Sequence, residues 1–342
     1  MPSLVLTGDT VSVNLESQHL EVVKKIEKDG QSEFERMKVP LFDIDRVVVN
    51  GRASLSTPAM HALMKKGIPV FFLSSHGRWL GALWPDKNMN AERRIRQYKL
   101  SEDQVLALKI ARKLVYAKIR NSRRVLQRLA ANRNLSDEQE QIYTTERLKI
   151  YADEALKSND VEQLRGYEGM SAAMYFSRLG KFFPEDIPFK ERSRQPPRDA
   201  ANALLSWNYT IVLGEVDAAV RSHGLDTCIG FLHSVSHGTP ALPLDLMEPL
   251  RGPVCDLLTL HLLNHKVLTK DHFEFCTEDG GTYLTQDSKK DFFWSYEMHM
   301  TRKFTPEKGG NHTDFRKIIQ DSVISVLKAL EGSDDFEFFQ MP

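Results

Sequence analysis

The pattern of apolar and polar positions changes once along the chain, near residue 90. Before it, short runs of branched apolar residues alternate with turn signals such as Asp29-Gly30, which is typical of β-strands. Ser56-Thr57-Pro58 has the form of a helix start with proline in the first turn, and Gly67 is a matching end. Val70–Leu73 and Trp79–Trp84 then continue the strands. This part predicts a small β-rich domain with one helix.

Beyond the polar segment 86–90, apolar residues recur at helical spacing. Val105, Leu108, Ala111, Val115 and Ile119 lie three or four residues apart, as one buried helix face requires. A loop is predicted where prolines and charges cluster, and the acidic tail after residue 331 is predicted to fray. Further helices are predicted over 138–156, 161–179, 200–222, 245–263, 289–303 and 313–330.

These patterns predict an α+β chain of two domains, with a small N-terminal β-rich domain and a large all-α C-terminal domain. We place the domains at residues 1–85 and 91–335, joined by a linker at 86–90. A length of 342 residues suffices for two cores. The apolar runs fall far short of the roughly 20 residues of a membrane helix, and no basic stretch followed by an apolar core marks a secretory signal.

The cysteines favour a cytoplasmic protein. They are odd in number and widely spaced, which suits a reducing compartment and small buried core residues better than disulfides or a zinc knuckle. They are Cys228, Cys255 and Cys276.

A strongly basic segment lies inside a chain of zero net charge. Lys+Arg and Asp+Glu each number 46, but between residues 91 and 134 thirteen Lys and Arg oppose only three acids. A local basic face can bind phosphates whatever the total charge, although a charge run is also common on a solvated helix surface. From this segment we take Arg120, Arg123 and Arg124 as candidate DNA contacts.

Carboxylates and an imidazole stand in apolar sequence that would draw them toward buried positions. They are Glu168, His233 and the pair Asp245 and Glu248. Carboxylate oxygens suit hard divalent cations, and an imidazole extends the range toward manganese. Such a site serves phosphodiester chemistry, because a metal neutralises charge on the phosphate and orients the attacking oxygen.

Each candidate also has a purely structural interpretation. Gly166 and Gly169 cost a helix interior roughly 1 kcal/mol each, so they indicate either a close backbone approach or a helix start where Glu168 favours the dipole. A lone histidine such as His233 is usually a satisfied core residue. The segment Asp245–Glu248 has the spacing of a helix capping box.

Two histidine pairs have the four-residue spacing that zinc sites use. They are His233 with His237, and His261 with His265. Pro240 places the first pair in a loop, and no cysteine is suitably placed to complete a closed zinc site. Zinc is therefore not favoured.

The residues of these segments and their order along the chain resemble those of the CRISPR adaptation integrase family. The larger, catalytic subunit of this family inserts new spacers into CRISPR arrays. The resemblance covers nearly all of the C-terminal half, while the first 85 residues match mainly in layout. The loop 234–243 is less typical of the family than its flanks. The motifs that carry the resemblance, in order, are Gly166–Gly169, Ala172–Phe176, Pro196–Asp199, Asn202–Ser206, Ile229–His233, Asp245–Glu248, Arg251–Pro253 and Gly281–Thr285.

The resemblance implies that the C-terminal domain is catalytic: a metal-dependent DNA integrase with nuclease activity. A DNA 3′-hydroxyl would attack a phosphodiester at the repeat boundary, and the absence of a phosphate-binding loop motif fits a transesterification without an energy source. Glu168, His233 and Glu248 would hold Mn²⁺ or Mg²⁺. Asp245 would cap the helix, orient a ligand or replace one.

The implied partners are double-stranded and branched DNA, a second copy of the chain bound through the β domain, and a small adaptation subunit, with no membrane. Arg165 and Arg251, beside the candidate acids, join the predicted DNA contacts. Two other functions remain open. One is a catalytically idle DNA-binding scaffold whose acids only cap helices, and the other is a helical metal-dependent phosphohydrolase acting on a small phosphate ester.

Overall fold

The computed structural model describes residues 3–8, 10–28, 31–77, 79–85, 90–131, 133, 136–193, 195–233, 238–306 and 312–342. The predicted linker, apart from Asn90, and His237 lie outside the described residues. Within the described ranges, no helix has both the length and the apolar character that crossing a bilayer requires.

The N-terminal part consists of strands with one α-helix, α1 (Thr57–Lys66), and a short 3-10 turn at Leu41–Asp43. As predicted, α1 follows Ser56 and ends at Gly67, whose φ of 81° favours glycine. The strands are β1 (Ser3–Thr7), β2 (Val11–Glu16), β3 (His19–Lys28), β4 (Gln31–Pro40), β5 (Arg46–Asn50), β6 (Ser54–Leu55), β7 (Val70–Leu73) and β8 (Trp79–Leu83).

These strands form two sheets. One has the order β1-β5-β7-β8, with β1, β5 and β7 parallel and β8 antiparallel to β7. The other has the order β4-β3-β2-β6, in which β2, β3 and β4 form an antiparallel meander and β6 pairs parallel with β2.

The first sheet is buried on both faces, which explains the uninterrupted apolar run of β5. Val47 and Val49 face a core shared with α1 and the second sheet. Val48 and Phe71 face the opposite way, into the large core of the helical part. A buried ion pair from Arg46 to Glu215 adds a polar contact between the two parts.

The rest of the chain is mostly helical, but it is not all α. A two-stranded antiparallel hairpin, β9 (Phe273–Phe275) and β10 (Thr282–Leu284), interrupts it, so the prediction of an entirely helical C-terminal domain is wrong there. The helices are α2 (Ala91–Glu102), α3 (Gln104–Ala130), α4 (Glu138–Lys157), α5 (Val161–Leu179), α6 (Ala200–Ser222), α7 (Ala241–Met247), α8 (Leu257–Asn264), α9 (Lys289–Thr301) and α10 (Phe315–Leu330).

Helix α3 lies at the centre of this part. Its predicted stripe is buried at Leu108, Ala111, Val115 and Ile119, whereas Val105, at the exposed first turn, is 77% accessible. Asp103 caps the helix by accepting hydrogen bonds from the first backbone N–H groups.

The predicted helix over 245–263 begins earlier and changes type within its length. Helix α7 starts at Ala241, and a 3-10 turn (Glu248–Leu250) and a π-helical segment (Arg251–Asp256) separate it from α8. Pro249 and Pro253 lack the N–H groups that a continuous α-helix needs, which accounts for the changes of type. Asp245 therefore lies inside α7, and the capping-box interpretation is wrong.

The acidic tail docks onto α3 and is not frayed. Phe336 and Phe338 are each 4% exposed, because the tail buries its aromatic residues while its acids remain outside. The amide of Asn121 donates to the carbonyls of Phe339 and Pro249, at 2.9 and 2.7 Å, and accepts from the N–H of Met341 at 2.8 Å. One buried side chain thus ties the tail to the segment that follows Glu248.

Asn121→Ala is expected to lower the free energy of unfolding by about 3 kcal/mol, because three buried backbone groups lose their partner. Urea unfolding of the intact chain measures this. Asn159→Ala, at an exposed position, is the control and should change stability by no more than about 0.5 kcal/mol. Equal stability of the two variants would contradict the assigned role of Asn121.

Candidate active site

The three predicted metal ligands, Glu168, His233 and Glu248, line one cavity of about 250 Å³ in the helical part. Helix α3 contributes Lys118, α5 contributes Glu168, and the loop after α6 contributes His233. Glu248 comes from the 3-10 turn that follows α7. Four separate segments must fold together to form this site.

Glu168 lies in the middle of α5, which begins at Val161 with Asp160 as its cap. The interpretation of the glycines as a helix start is therefore wrong. The expected close approach is absent as well, because a Cβ added at Gly166 or Gly169 meets none of the described atoms within 4 Å. Both glycines are exposed, and of the two Gly169 lines the cavity beside Glu168.

Asp245 orients His233 from beneath. Its carboxylate is completely buried and accepts hydrogen bonds from the backbone N–H groups of Phe231, Leu232 and His233, at 2.5, 3.0 and 2.9 Å. It also lies 2.6 Å from Nδ1 of His233. Gly230 permits this approach, since a Cβ there would lie 2.6 Å from an Asp245 oxygen.

This contact fixes how the imidazole meets the cavity. Both oxygens of Asp245 already accept backbone N–H groups, so Oδ1 is also the acceptor for Nδ1 of His233, which carries the proton. In a neutral ring Nε2 is then free to accept, and it lies 3.9 Å from Glu248. The hydrogen bond that His233 donates to Asp245 raises the pKa of His233, against the opposing effect of burial.

Glu248 is ionised although it is only 3% exposed. Burial alone would raise its pKa, but Arg251 and Lys118 lower the pKa of Glu248 to about 2. Nε of Arg251 donates to Oε1 at 3.0 Å, and the guanidinium also stacks on the ring of Tyr209, 4.8 Å from its centre. Arg251 thereby holds this carboxylate in one orientation.

The Lys118 ammonium lies between the two carboxylates. Its Nζ is 2.6 Å from Oε1 of Glu168 and 2.6 Å from Oε2 of Glu248. Burial opposes the charge, but the attraction of Glu248 and Glu168 outweighs it and raises the pKa of Lys118. Because this ammonium intervenes, the described residues form no group of three acidic, histidine or cysteine side chains closed around one point.

The donor set nevertheless fits a hard divalent cation. It offers two carboxylates and an imidazole whose other nitrogen is held by Asp245, the arrangement common behind metal-binding histidines. Within the described part of the chain, the buried Oε2 of Glu248 accepts no well-aligned hydrogen bond, although the ammonium pairs with it electrostatically. The rings of His261, on α8, and of His265, directly after its end, lie 4.5 Å apart and do not line this cavity.

A buried carboxyl supported by two tyrosines forms the far wall. The hydroxyls of Tyr175 and Tyr209 donate to Asp256 at 2.8 and 2.7 Å. Burial raises the pKa of Asp256 to about 6, while these hydrogen bonds act in the opposite direction. This carboxyl can therefore exchange a proton near neutral pH beside the cavity.

The predicted DNA contacts fall into two places. Arg165 and Arg251 line the cavity, and Arg165 also donates to the carbonyl of Leu232 at 2.9 Å, which supports the His233 loop. The other predicted contacts lie together around a separate depression of about 470 Å³ beside Pro342; they are Arg120, Arg123 and Arg124.

Lys118, Tyr175, Tyr209 and Asp256 belong to the site but were not predicted as site residues. A weak signal for Lys118 existed, since it stands among the apolar residues that bury α3. Tyr175 and Tyr209 occur in the family-like motifs, yet their spacing from the acids carries no chemical information. Asp256 lay inside a helix predicted from apolar spacing alone.

A β-rich N-terminal part is followed by helices that enclose carboxylates and an imidazole, and the comparisons place a chain with this architecture among the CRISPR-associated proteins. The family model for the CRISPR associated protein Cas1 matches residues 4–298. The chain belongs to the Cas1 family.

Relatives and solved structures agree with this assignment. The chain is 32% identical over 296 residues to CRISPR-associated endonuclease Cas1 3 of Thermus thermophilus, covering 86% of this chain and 85% of the relative. It is 31% identical over 338 residues to CRISPR-associated endonuclease Cas1 4 of Methanospirillum hungatei, covering 97% and 90%.

Two solved structures show the same fold. A Cas1 protein from Thermotoga maritima superposes with a TM-score of 0.78 at 22% identity, covering 100% of both chains. A chain of a Cas6-RT-Cas1–Cas2 complex superposes with a TM-score of 0.80 at 25% identity, covering 100% of this chain and 36% of the other.

Proposed function

We propose that this chain is a metal-dependent DNA integrase with nuclease activity that inserts spacer DNA during CRISPR adaptation. The observation that carries the proposal is the cavity in which Glu168, His233 and Glu248 meet, in a member of the Cas1 family. The relatives named as CRISPR-associated endonucleases support the nuclease activity.

Glu168, His233 and Glu248 would hold Mn²⁺ or Mg²⁺ in this cavity. Such an ion supplies charge neutralisation at the scissile phosphate and orientation of the attacking 3′-hydroxyl. Asp245 keeps the proton on Nδ1 of His233 so that Nε2 faces the cavity. Arg251 holds Glu248 in one orientation. Its guanidinium also adds a positive charge, besides that of the ion, to the cavity wall where phosphate oxygens would lie.

Substrate preference tests the reaction class. Branched DNA with a free 3′-hydroxyl should be joined and cleaved only when Mn²⁺ or Mg²⁺ is supplied. Binding of DNA without any turnover would favour the idle scaffold. Faster hydrolysis of mononucleotides than of duplex DNA would favour the small-ester phosphohydrolase.

The basic segment of α3 is proposed to contact the DNA backbone. Changing Arg120, Arg123 and Arg124 together to glutamine should weaken DNA binding. It should also reduce the slope of log Kd against log[salt] by about 2 to 3, because binding releases about 0.9 fewer counterions for each phosphate contact that is lost. Fluorescence anisotropy at several salt concentrations measures both quantities.

The control for this experiment removes the same charge elsewhere, by changing the exposed Lys157, Lys317 and Lys328 to glutamine. An equal salt slope for the two triple variants would assign the loss to net charge. Because Arg124 donates to the carbonyl of Pro342 and Arg123 to that of Thr145, thermal unfolding must first show that the variant is folded.

We propose in addition that two copies associate through the N-terminal sheets and that a small adaptation subunit bridges such dimers. Phe34 and Phe42 leave 60% and 72% of their surface exposed in this part, so apolar side chains are available for such a contact. The Cas1–Cas2 complex among the similar structures supports the second partner. Sedimentation of the intact chain should give a dimer, and a monomer at micromolar concentration would exclude this arrangement.

A further inference from the structure

The Lys118 ammonium occupies the place between two carboxylates where a bound cation would also have to lie. Its side chain is 17% exposed, and Nζ makes equally short contacts, 2.6 Å each, with Glu168 and Glu248. Oε2 of Glu248 lies in an almost fully buried side chain. Without a positive charge here, the carboxylates of Glu168 and Glu248 would repel each other.

A divalent cation and this ammonium cannot both contact the same two oxygens, because like charges at such distances repel strongly in a poorly hydrated site. We propose that Lys118 is a displaceable counter-cation, which holds Glu168 and Glu248 in place and competes with the divalent metal for them. The inference rests on the proposed function, since it concerns the metal of that same site.

The surroundings of Lys118 permit its release. Its flexible four-carbon chain borders the cavity of about 250 Å³, so the ammonium can rotate away from the acids without a change in α3. Arg251 does not share this freedom, because it donates to Oε1 of Glu248 and stacks on Tyr209. Glu248 therefore keeps its orientation when Lys118 leaves Oε2.

The proposal makes metal affinity, rather than activity, the decisive measurement. Mn²⁺ alone is titrated into the intact chain by isothermal calorimetry, for the wild type and for Lys118→Met. We expect the variant to bind Mn²⁺ at least about tenfold more tightly, because a competing buried charge is lost. Affinity that is unchanged or weaker in Lys118→Met overturns the proposal.

Two further variants separate competition from other effects of the substitution. Lys109→Met removes the same charge from the exposed side of α3, where Lys109 pairs with Asp334, and should bind Mn²⁺ as the wild type does. Lys118→Arg keeps the charge and should bind no more tightly than the wild type. A tightening in either control as large as that in Lys118→Met would also overturn the proposal.

If Lys118→Met does not fold, Lys118→Gln replaces it, since the amide can still donate to one carboxylate. Failure of this proposal differs from failure of the proposed function. Wild-type binding that Glu168→Ala abolishes, without tightening in the Lys118 variants, overturns only the role of Lys118. Absence of Mn²⁺ binding by both the wild type and Lys118→Met overturns both.

Discussion

Glu168→Ala, His233→Ala and Glu248→Gln should each abolish metal-dependent strand transfer while the protein stays folded. The loss should exceed the 10- to 100-fold (roughly) that follows when a residue merely supporting a metal ligand is removed, because each of these groups is proposed to bind the ion directly. Glutamine is chosen at position 248 because it fills the same volume. Either substitution leaves Lys118 and Arg251 without their shared buried carboxylate, at a cost of about 3 to 5 kcal/mol, and alanine would add the cost of a cavity.

The measurement is joining of a labelled DNA 3′-end to a target duplex with Mn²⁺ present, with circular dichroism to show folding. Glu162→Ala is the matched control, since Glu162 lies on the same helix as Glu168 but is 83% exposed and pairs with Arg165. Its activity should equal that of the wild type. Near wild-type joining by any of the three site variants would remove that residue from the proposed ligand set.

Asp245→Asn should weaken Mn²⁺ binding by about 10- to 100-fold and lower strand transfer with it. Both oxygens of Asp245 accept hydrogen bonds, one from Phe231 and Leu232 and the other from the backbone and ring of His233. In either orientation of the substituted amide at position 245, its NH₂ group faces N–H groups that are themselves donors. The His233 ring then loses the acceptor that holds its proton on Nδ1.

The same substitution at Asp226, which caps the loop preceding His233 through the N–H of Cys228 at 2.8 Å, is the control. It should alter Mn²⁺ affinity little, although it also removes a carboxyl group near the loop that carries His233. Equal weakening in Asp226→Asn and Asp245→Asn would mean that loop stability, and not the orientation of His233, sets the affinity.

The helices could be predicted where the apolar spacing is regular. Helices α5 and α6 begin and end where their patterns do, because Asp160 and Asp199 cap them and the buried positions recur without interruption. Helix α7 starts four residues before the predicted start at residue 245. Pro243 lies in its first turn, where a proline is tolerated because no backbone N–H is needed for a hydrogen bond within the helix.

The tail and the site depend on tertiary complementarity, which periodicity does not express. The acids around Phe336 and Phe338 favour an exposed segment, but those rings are buried against the helical core and Asn121 on a distant helix binds the tail backbone. Similarly, Glu168, His233 and Glu248 could be named from motifs. The position of Lys118 between Glu168 and Glu248 could not be predicted, because a lysine in a basic segment is most simply interpreted as exposed to solvent.

The π-helical segment Arg251–Asp256 acts, in evolutionary terms, like a one-residue insertion that has been retained within a helix. Loss of one residue there, for example Val254, would remove the extra residue of the π-helical segment and rotate everything after it by about 100° relative to Glu248. Asp256 would then turn away from Tyr175 and Tyr209, although the sequence would still contain every residue of the site. A one-residue gap at this point in an alignment of related chains therefore marks a different site geometry, and not a variable loop.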